Sequence, residues 1–380
     1  NKKFLSIPKE ILTLTMQSHQ KYFPIFNNKD EITNEFLIVA NKKDQKGLIK
    51  IGNERVVEAR LSDAEFFWNK DKTQNLVKKV SELKSMNFFK GLGTYFDKVQ
   101  RMRKIGGMIS DELLISKEKV ELSASICKTD LTSELVGEFP ELQGILGGYF
   151  SIQQGFDKDV SLALSEQYLP IGLDSKTPRN SYSVALSITD KIDTLVGFFG
   201  INEKPSSSKD PFALRRMALS IIRTIIENKK DLKVNDLLNY SLGLYKDQGH
   251  NLINEDLQKD LQNFLKDRFR YYLKEKQIRY DIIDALVSNF SLNKLSSSFQ
   301  KAKSLNKIIN NQIGVDVTSS FKRASNILEG EMKNNEVEIL NTTDPGIFKT
   351  DFEKNLYKKI NEIKKYYSSI NNDENYEESL

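Results

Sequence analysis

The sequence predicts a mainly α protein: two helical domains behind a small mixed α/β segment. Three observations predict it. Apolar residues recur at helical spacing between Leu122 and Phe150. SVALSITDKIDTLVGFFGI reads as one long apolar helix, and beyond about residue 245 nearly every segment is an amphipathic helix. The expected layout is a mixed segment over 1–72 (hairpin plus helix), a helical domain over 73–245 and a helical bundle over 246–380, with DQGHNLINED as the polar linker.

Composition bounds the function classes. At 380 residues the chain can bury two or three cores. Hydrophobic residues make up 39% and charged residues 29%, which is ordinary for a globular chain, and no apolar run approaches the ~20 residues of a membrane helix. The single cysteine, Cys127, forbids an internal disulfide and fits a reducing cytoplasm, the expected location. The start, NKKFLSIPKEIL, lacks the apolar core of a signal peptide. A net charge of +5, from 57 basic and 52 acidic residues, suits a nucleic-acid partner and equally suits a lysine-rich genome. Two histidines, His19 and His250, exclude zinc sites built on several His or Cys side chains.

In chain order, TMQSHQKYFPIF reads as a strand closed by the turn cluster Asn27, Asn28, Lys29 and Asp30, with FLIVANK as its partner. Either His19, Lys21 and Tyr22 face a ligand there, or the strand is polar with Phe23 buried. Gly52 and Asn53 are expected to open a helix whose apolar face carries Val56, Val57, Ala64, Phe67 and Trp68. Gly91 and Gly93 separate two helices; no strand precedes this GLG and no Gly-Lys-Ser follows, so it reads as a turn and not a phosphate loop. Lys98, Arg101, Arg103 and Lys104 read as a solvated basic face. Leu122, Ile126, Leu131, Leu135 and Val136 place one helix between 122 and 136, ending at Gly137 and Pro140, and on it Cys127, Lys128, Asp130 and Glu134 crowd together.

Asp190 and Asp193 interrupt the long apolar helix, and two acids there require partners, because an unpaired buried charge is costly. Asp210 can cap the next helix, with Pro211 in its first turn. Lys209, Arg215 and Arg216 then form a cationic group beside a helix start, suited to phosphate. The alternative pairs those arginines with Asp190 or Glu138 in the core. In FLKDRFRYYLKEKQIRYDIIDALVSNF, Arg268, Arg270, Lys274, Lys276 and Arg279 alternate with Phe269, Tyr271, Tyr272 and Tyr280. This pattern suits RNA bases, or a buried aromatic stripe with a solvated basic face.

Acids and a lysine on facing helices also suggest a metal phosphohydrolase. The HD superfamily reads H…HD…D across its helices; here Cys127 and Lys128 stand at the HD pair and Asp190 at the final Asp. The expected fold is therefore HD-like without metal ligands. The alternative function is a divalent-metal phosphohydrolase holding Mg²⁺ or Mn²⁺ on Asp130, Asp190 and Asp193.

TMQSHQKYFPIF, GNERVVEARLSDAEFFW, LGTYFDKVQRM, CKTDLTSELVGEFPELQGILGGYF, DKIDTLVGFFGI and SSKDPFALRRMAL occur in one order across residues 1 to about 227. They closely resemble the bacterial glycyl-tRNA synthetase β subunit. FLKDRFRYYLKEKQIRYDIIDAL and FKRASNIL are similar to that family's helical anticodon-binding domain, while QKAKSLNKIINNQIG diverges. The resemblance implies a heterotetramer of two alpha and two beta subunits. In it a separate alpha subunit activates glycine with ATP and Mg, and this chain, with no cofactor and no catalysis of its own, binds and positions tRNA-Gly. It implies tRNA contacts at Lys209, Arg215, Arg216, Arg268, Lys322 and Arg323, no metal, and no membrane. It also makes the chain an expected fragment, covering the middle and most of the C-terminal part of the subunit.

Overall fold

The computed structural model describes residues 1–334 and 343–369. Its helices are α1 (Lys9–Gln20), α2 (Leu48–Asp71), α3 (Leu76–Lys79), α4 (Tyr95–Leu113), α5 (Lys117–Ile126), α6 (Glu134–Glu138), α7 (Ile145–Gln153) and α8 (Lys158–Glu166). There follow α9 (Ser181–Gly200), α10 (Leu214–Glu227), α11 (Val234–Asp247), α12 (Leu257–Glu275), α13 (Tyr280–Ser288), α14 (Leu295–Ile309), α15 (Gln312–Asn334) and α16 (Asp351–Ser369). Two antiparallel hairpins complete it: β1 (Phe23–Phe26) with β2 (Ile32–Leu37), and β3 (Asn87–Phe89) with β4 (Gly93–Thr94). The mainly α class with a small mixed N-terminal segment is the observed fold. Among the described residues no helix is long and apolar enough to cross a membrane.

By backbone packing the chain divides into two units, residues 1–228 with 232–265, and residues 229–231 with 266 onward. In the first unit α9 is the axis: α4, α5, α8, α10 and α11 all pack against it. Asn180 caps it by accepting from the Tyr182 amide at 2.9 Å, and every residue from Ser183 to Gly200 is buried. Gly197 has a reason in that packing: a Cβ there would lie 2.3 Å from the Tyr245 hydroxyl of α11. In the second unit α13 packs on α14 and α14 on α15, and the Asp231 carboxylate accepts from the Ser296 and Ser297 amides at 2.6 and 3.1 Å.

Four local expectations are corrected. Residues 9–20 form a helix, because Ile11, Leu12 and Met16 bury one face and outweigh the β preference of the threonines; Thr15 folds its hydroxyl back onto the Ile11 carbonyl at 2.8 Å. The strand pairing with residues 23–26 is Ile32–Leu37, four residues earlier than FLIVANK, and its turn is closed by Asn27 accepting from the Lys29 and Glu31 amides. The next helix starts at Leu48 behind Gly47 (φ +69°), so Gly52 lies inside it. The stretch 122–138 is broken: α5 stops at Ile126, a 3₁₀ turn covers Thr129–Thr132, and α6 starts at Glu134. Thr129, Thr132 and Ser133 donate to the carbonyls of Ile126, Thr129 and Asp130, and these side-chain bonds compete with the helical ladder.

Candidate functional site

The charges on α9 do find partners, and the partners come from the face that the sequence suggests is solvated. Lys98 and Arg101 of α4 are 2% and 1% exposed. Arg101 grips Asp193 with Nε at 2.6 Å from Oδ1 and Nη2 at 3.1 Å from Oδ2. Its Nη1 donates to Gln248 at 2.6 Å, its Nη2 to the Tyr245 hydroxyl at 2.9 Å, and its plane lies 3.7 Å over the Tyr245 ring. Lys98 Nζ bridges both acids, 3.0 Å from Asp190 and 3.1 Å from Asp193, and donates to Thr194 at 2.7 Å. Lys128, from the turn after α5, closes the other side of Asp190 at 3.1 Å and donates to Gln167 (2.8 Å) and Tyr168 (2.9 Å).

The electrostatics follow from this geometry. Burial alone would raise the Asp190 and Asp193 carboxyls; Lys128 and Lys98 around the first, and Arg101 and Lys98 around the second, hold both below the usual carboxylate range. Burial alone would lower Lys128, but Asp190 and Tyr168 together raise it well above the usual lysine range. Lys191 has no such carboxylate contact: its ammonium points at the carbonyls of Leu169 (2.9 Å) and Gln167 (3.2 Å), and burial pushes it down to about 7. Asp130 faces away, its Oδ2 accepting from the Gly144 amide, and burial raises its carboxyl to about 6. Burial also pushes the Cys127 thiol up to about 12.

Asp130, Asp190 and Asp193 thus do not converge on a point where a metal could sit. Among the described residues no group of three His, Cys, Asp or Glu side chains could hold one. Cys127 and Lys128, at the places of the HD pair, end as a protonated thiol bonded to the Ala124 carbonyl (3.3 Å) and an ammonium on Asp190. Chemically the cluster is a pin joining α4, α9, α11 and the turn after α5. The signal for it is in the sequence: Lys98 and Arg101 are three apart, as are Asp190 and Asp193, so two helix faces match cation to anion.

The surface cations are placed differently. α10 begins at Leu214, so Pro211 precedes it; Asp210 reaches forward and accepts from the Leu214 and Arg215 amides at 2.8 and 3.0 Å. A carboxylate therefore occupies the helix start, and only side chains there are left for phosphate. Arg215 donates to the Ser206 carbonyl, and Ser206 closes a turn with Lys209 (3.0 and 3.2 Å), which brings Lys209 and Arg215 together, with Arg216 exposed alongside. Among the described residues no carboxylate pairs with Lys209 or Arg216, and Asp190 is taken by Lys98 and Lys128.

In the second unit, Lys322 and Arg323 are exposed on α15, and Arg268 is half-buried on α12, 5.8 Å over the Tyr271 ring. The aromatic row is divided between two helices: Phe269 and Tyr272 of α12 are core, while Tyr280, which opens α13, is 60% exposed. Arg270 pairs with Asp284 at 3.2 Å and Arg279 with Asp281 at 2.7 Å. Near the N-terminus, Tyr22 is buried on Asn53 (2.6 Å) and Phe23 is 50% exposed, the reverse of the expected burial; the His19 side chain lies outside the described residues.

The chain is thus a mainly α protein in which Lys98, Lys128 and Arg101 neutralise Asp190 and Asp193, and in which Lys209 and Arg216 stay exposed with no carboxylate partner among the described residues. Comparison with known proteins places it more closely. The family model of the glycyl-tRNA synthetase beta subunit matches residues 1–288. A glycine–tRNA ligase beta subunit of Rickettsia canadensis is 39% identical over 382 residues, covering 100% of this chain and 54% of that protein. Its counterpart in Listeria welshimeri is 34% identical over 374 residues, covering 97% and 53%. The chain belongs to the glycyl-tRNA synthetase beta subunit family, and so to the aminoacyl-tRNA synthetases. It spans about half the length of the curated relatives it matches.

Proposed function

We propose that this chain binds tRNA-Gly and orients it for glycylation by a separate alpha subunit, which uses ATP and Mg, in an assembly of two alpha and two beta subunits. The observation that carries this reading is the cationic group at Lys209, Arg215 and Arg216, two of whose three side chains are exposed without an acidic partner. Arg268, Lys322 and Arg323 supply the contacts of the second unit. Lys and Arg on phosphates give affinity and orientation, and unpaired anticodon bases give specificity. The membership of the chain in a tRNA synthetase family supports the reading, as does a core in which Asp190 and Asp193 are committed to Lys98, Lys128 and Arg101. The same commitment weighs against the phosphohydrolase alternative.

The test is a titration with glycine tRNA and a non-cognate tRNA at 50 and 200 mM salt. Six phosphate contacts predict a loss of affinity of roughly a thousandfold over that range, by counterion release. Binding that ignores salt, or absence of binding at low salt, refutes the proposal.

A further inference from the structure

The hairpin β3–β4 and the segment entering α10 meet over the end of α9, and four phenylalanines lie between them. Phe198 of α9 is the floor, 5% exposed. Phe89 of β3 stands 4.9 Å from it, Phe212 stands 4.3 Å from it, and these two rings meet edge-on at 5.2 Å. Phe88 touches the floor at 6.0 Å, but the Lys98 ammonium is 4.4 Å from its centroid, so a cation already occupies one of its faces. Phe88, Phe89 and Phe212 are each half-buried.

Exposed cations flank the two outer rings in the chain, and the one acid beside Phe212, Asp210, is engaged by the Leu214 and Arg215 amides. Lys90 follows Phe89 directly and is exposed; Lys209 lies three residues before Phe212 and Arg216 four after it, both exposed. Gly91 (φ +88°) makes the left-handed turn at the hairpin tip, beside Ile201, the residue that follows α9. None of these residues belongs to the buried charge cluster. The geometry points to a stacking platform for unpaired RNA nucleotides: Phe89 and Phe212 offer ring surface to bases, while Lys90, Lys209 and Arg216 take the flanking phosphates. A phenyl ring accepts any base, so the platform reads strandedness and not sequence. Its cations repel a basic partner and attract a polyanion, and a duplex hides its base faces from the rings. The inference rests on the RNA-binding reading above and adds to it a site for nucleotides outside a helix.

The test uses the 380-residue chain and RNA hairpins that differ only at the end: a four-nucleotide unpaired 3′ tail, no tail, or a tail of four abasic nucleotides. A further hairpin carries the same four nucleotides in its loop. The tailed or looped RNA should bind roughly 5- to 150-fold more tightly than the blunt one, and the abasic tail should lose that advantage although its phosphates remain. Which of the two holds the advantage identifies the source of the nucleotides. Phe89→Leu with Phe212→Leu keeps apolar bulk on Phe198 and should abolish the advantage while leaving blunt-hairpin affinity and the salt slope unchanged. Lys209→Ala with Arg216→Ala should instead flatten the salt slope by about two.

Equal binding of blunt, tailed and looped RNA, or an abasic tail as good as the natural one, overturns the platform while leaving RNA binding intact. Absence of binding to every hairpin at low salt overturns both. The abasic comparison uses the unmodified chain, so it decides the matter even where the double phenylalanine variant does not fold.

Discussion

Replacing Asp193 with Asn changes one oxygen for a nitrogen and removes one charge from a fully buried site. Asp193 is fully buried, Arg101 is 1% exposed, and three cationic hydrogen bonds converge on that carboxylate. Lys98 retains Asp190 at 3.0 Å, so most of the penalty falls on Arg101. A guanidinium cannot relieve itself by losing its proton, since its pKa stays above ~12. The variant therefore leaves a buried, uncompensated cation, and removing one partner of such a pair costs about 3–5 kcal/mol. In a unit of this size each kcal/mol moves Tm by about 2 °C, so Asp193→Asn should melt about 6–10 °C lower. Thermal unfolding followed by circular dichroism, with urea titration for the free energy, is the assay. Lys98→Met is the internal comparison: it leaves Asp190 with Lys128 and Asp193 with Arg101, and should cost less. A loss under about 1 kcal/mol for Asp193→Asn, or the reverse order of the two variants, refutes the view that this pair pins the core.

Four further outcomes follow from the same chemistry. The Asp130 carboxyl is raised from 3.8 to about 6 by burial, so its protonation adds stability as pH falls from 6 toward 4; Asp130→Asn should remove that slope, a difference of about 2 kcal/mol between urea titrations at pH 7 and pH 4.5. Asp190 and Asp193 carry the opposite sign: their folded values are depressed, so their contribution is present above about pH 4 and is lost below it, and acid unfolding should steepen there. Cys127, buried and with its thiol up at about 12, should resist alkylation at pH 8 and react stoichiometrically in 6 M urea; rapid labelling of the folded chain contradicts the packing. Gly197→Ala places a methyl 2.3 Å from the Tyr245 hydroxyl and should cost about 1–3 kcal/mol in a urea titration, while Gly137→Ala, with open space around it, should cost little.

The sequence reveals the long elements and hides the joints. α9 is legible because its apolar run is long and broken only at Asp190, Lys191 and Asp193, and its two acids announce that cations must face them. Which cations face them is not legible from composition: Lys98, Arg101 and Lys104 look alike, and only the seat of α4 against α9 buries the first two and leaves the third in water. The break at Cys127 escapes a periodicity argument because apolar spacing persists across it, while the hydroxyls of Thr129, Thr132 and Ser133 redirect the backbone locally. The helix of residues 9–20 is missed for the converse reason, since its threonines and the aromatic run Tyr22 to Phe26 favour a strand, while contact with α2 buries a helical face. At the surface, the run from Lys209 to Arg216 and the capping carboxylate of Asp210 are plain in the sequence, but the start of the helix at Leu214, beyond Pro211, is a matter of loop length.

Asp190 lies between two lysine ammoniums that belong to the chain itself. Had a divalent ion balanced that carboxylate, the interior would depend on supply, on competing ions and on chelators. A lysine arrives with synthesis, in fixed ratio to the acid it serves, and cannot diffuse away. The charge balance of this core is thereby made heritable and independent of the surrounding medium.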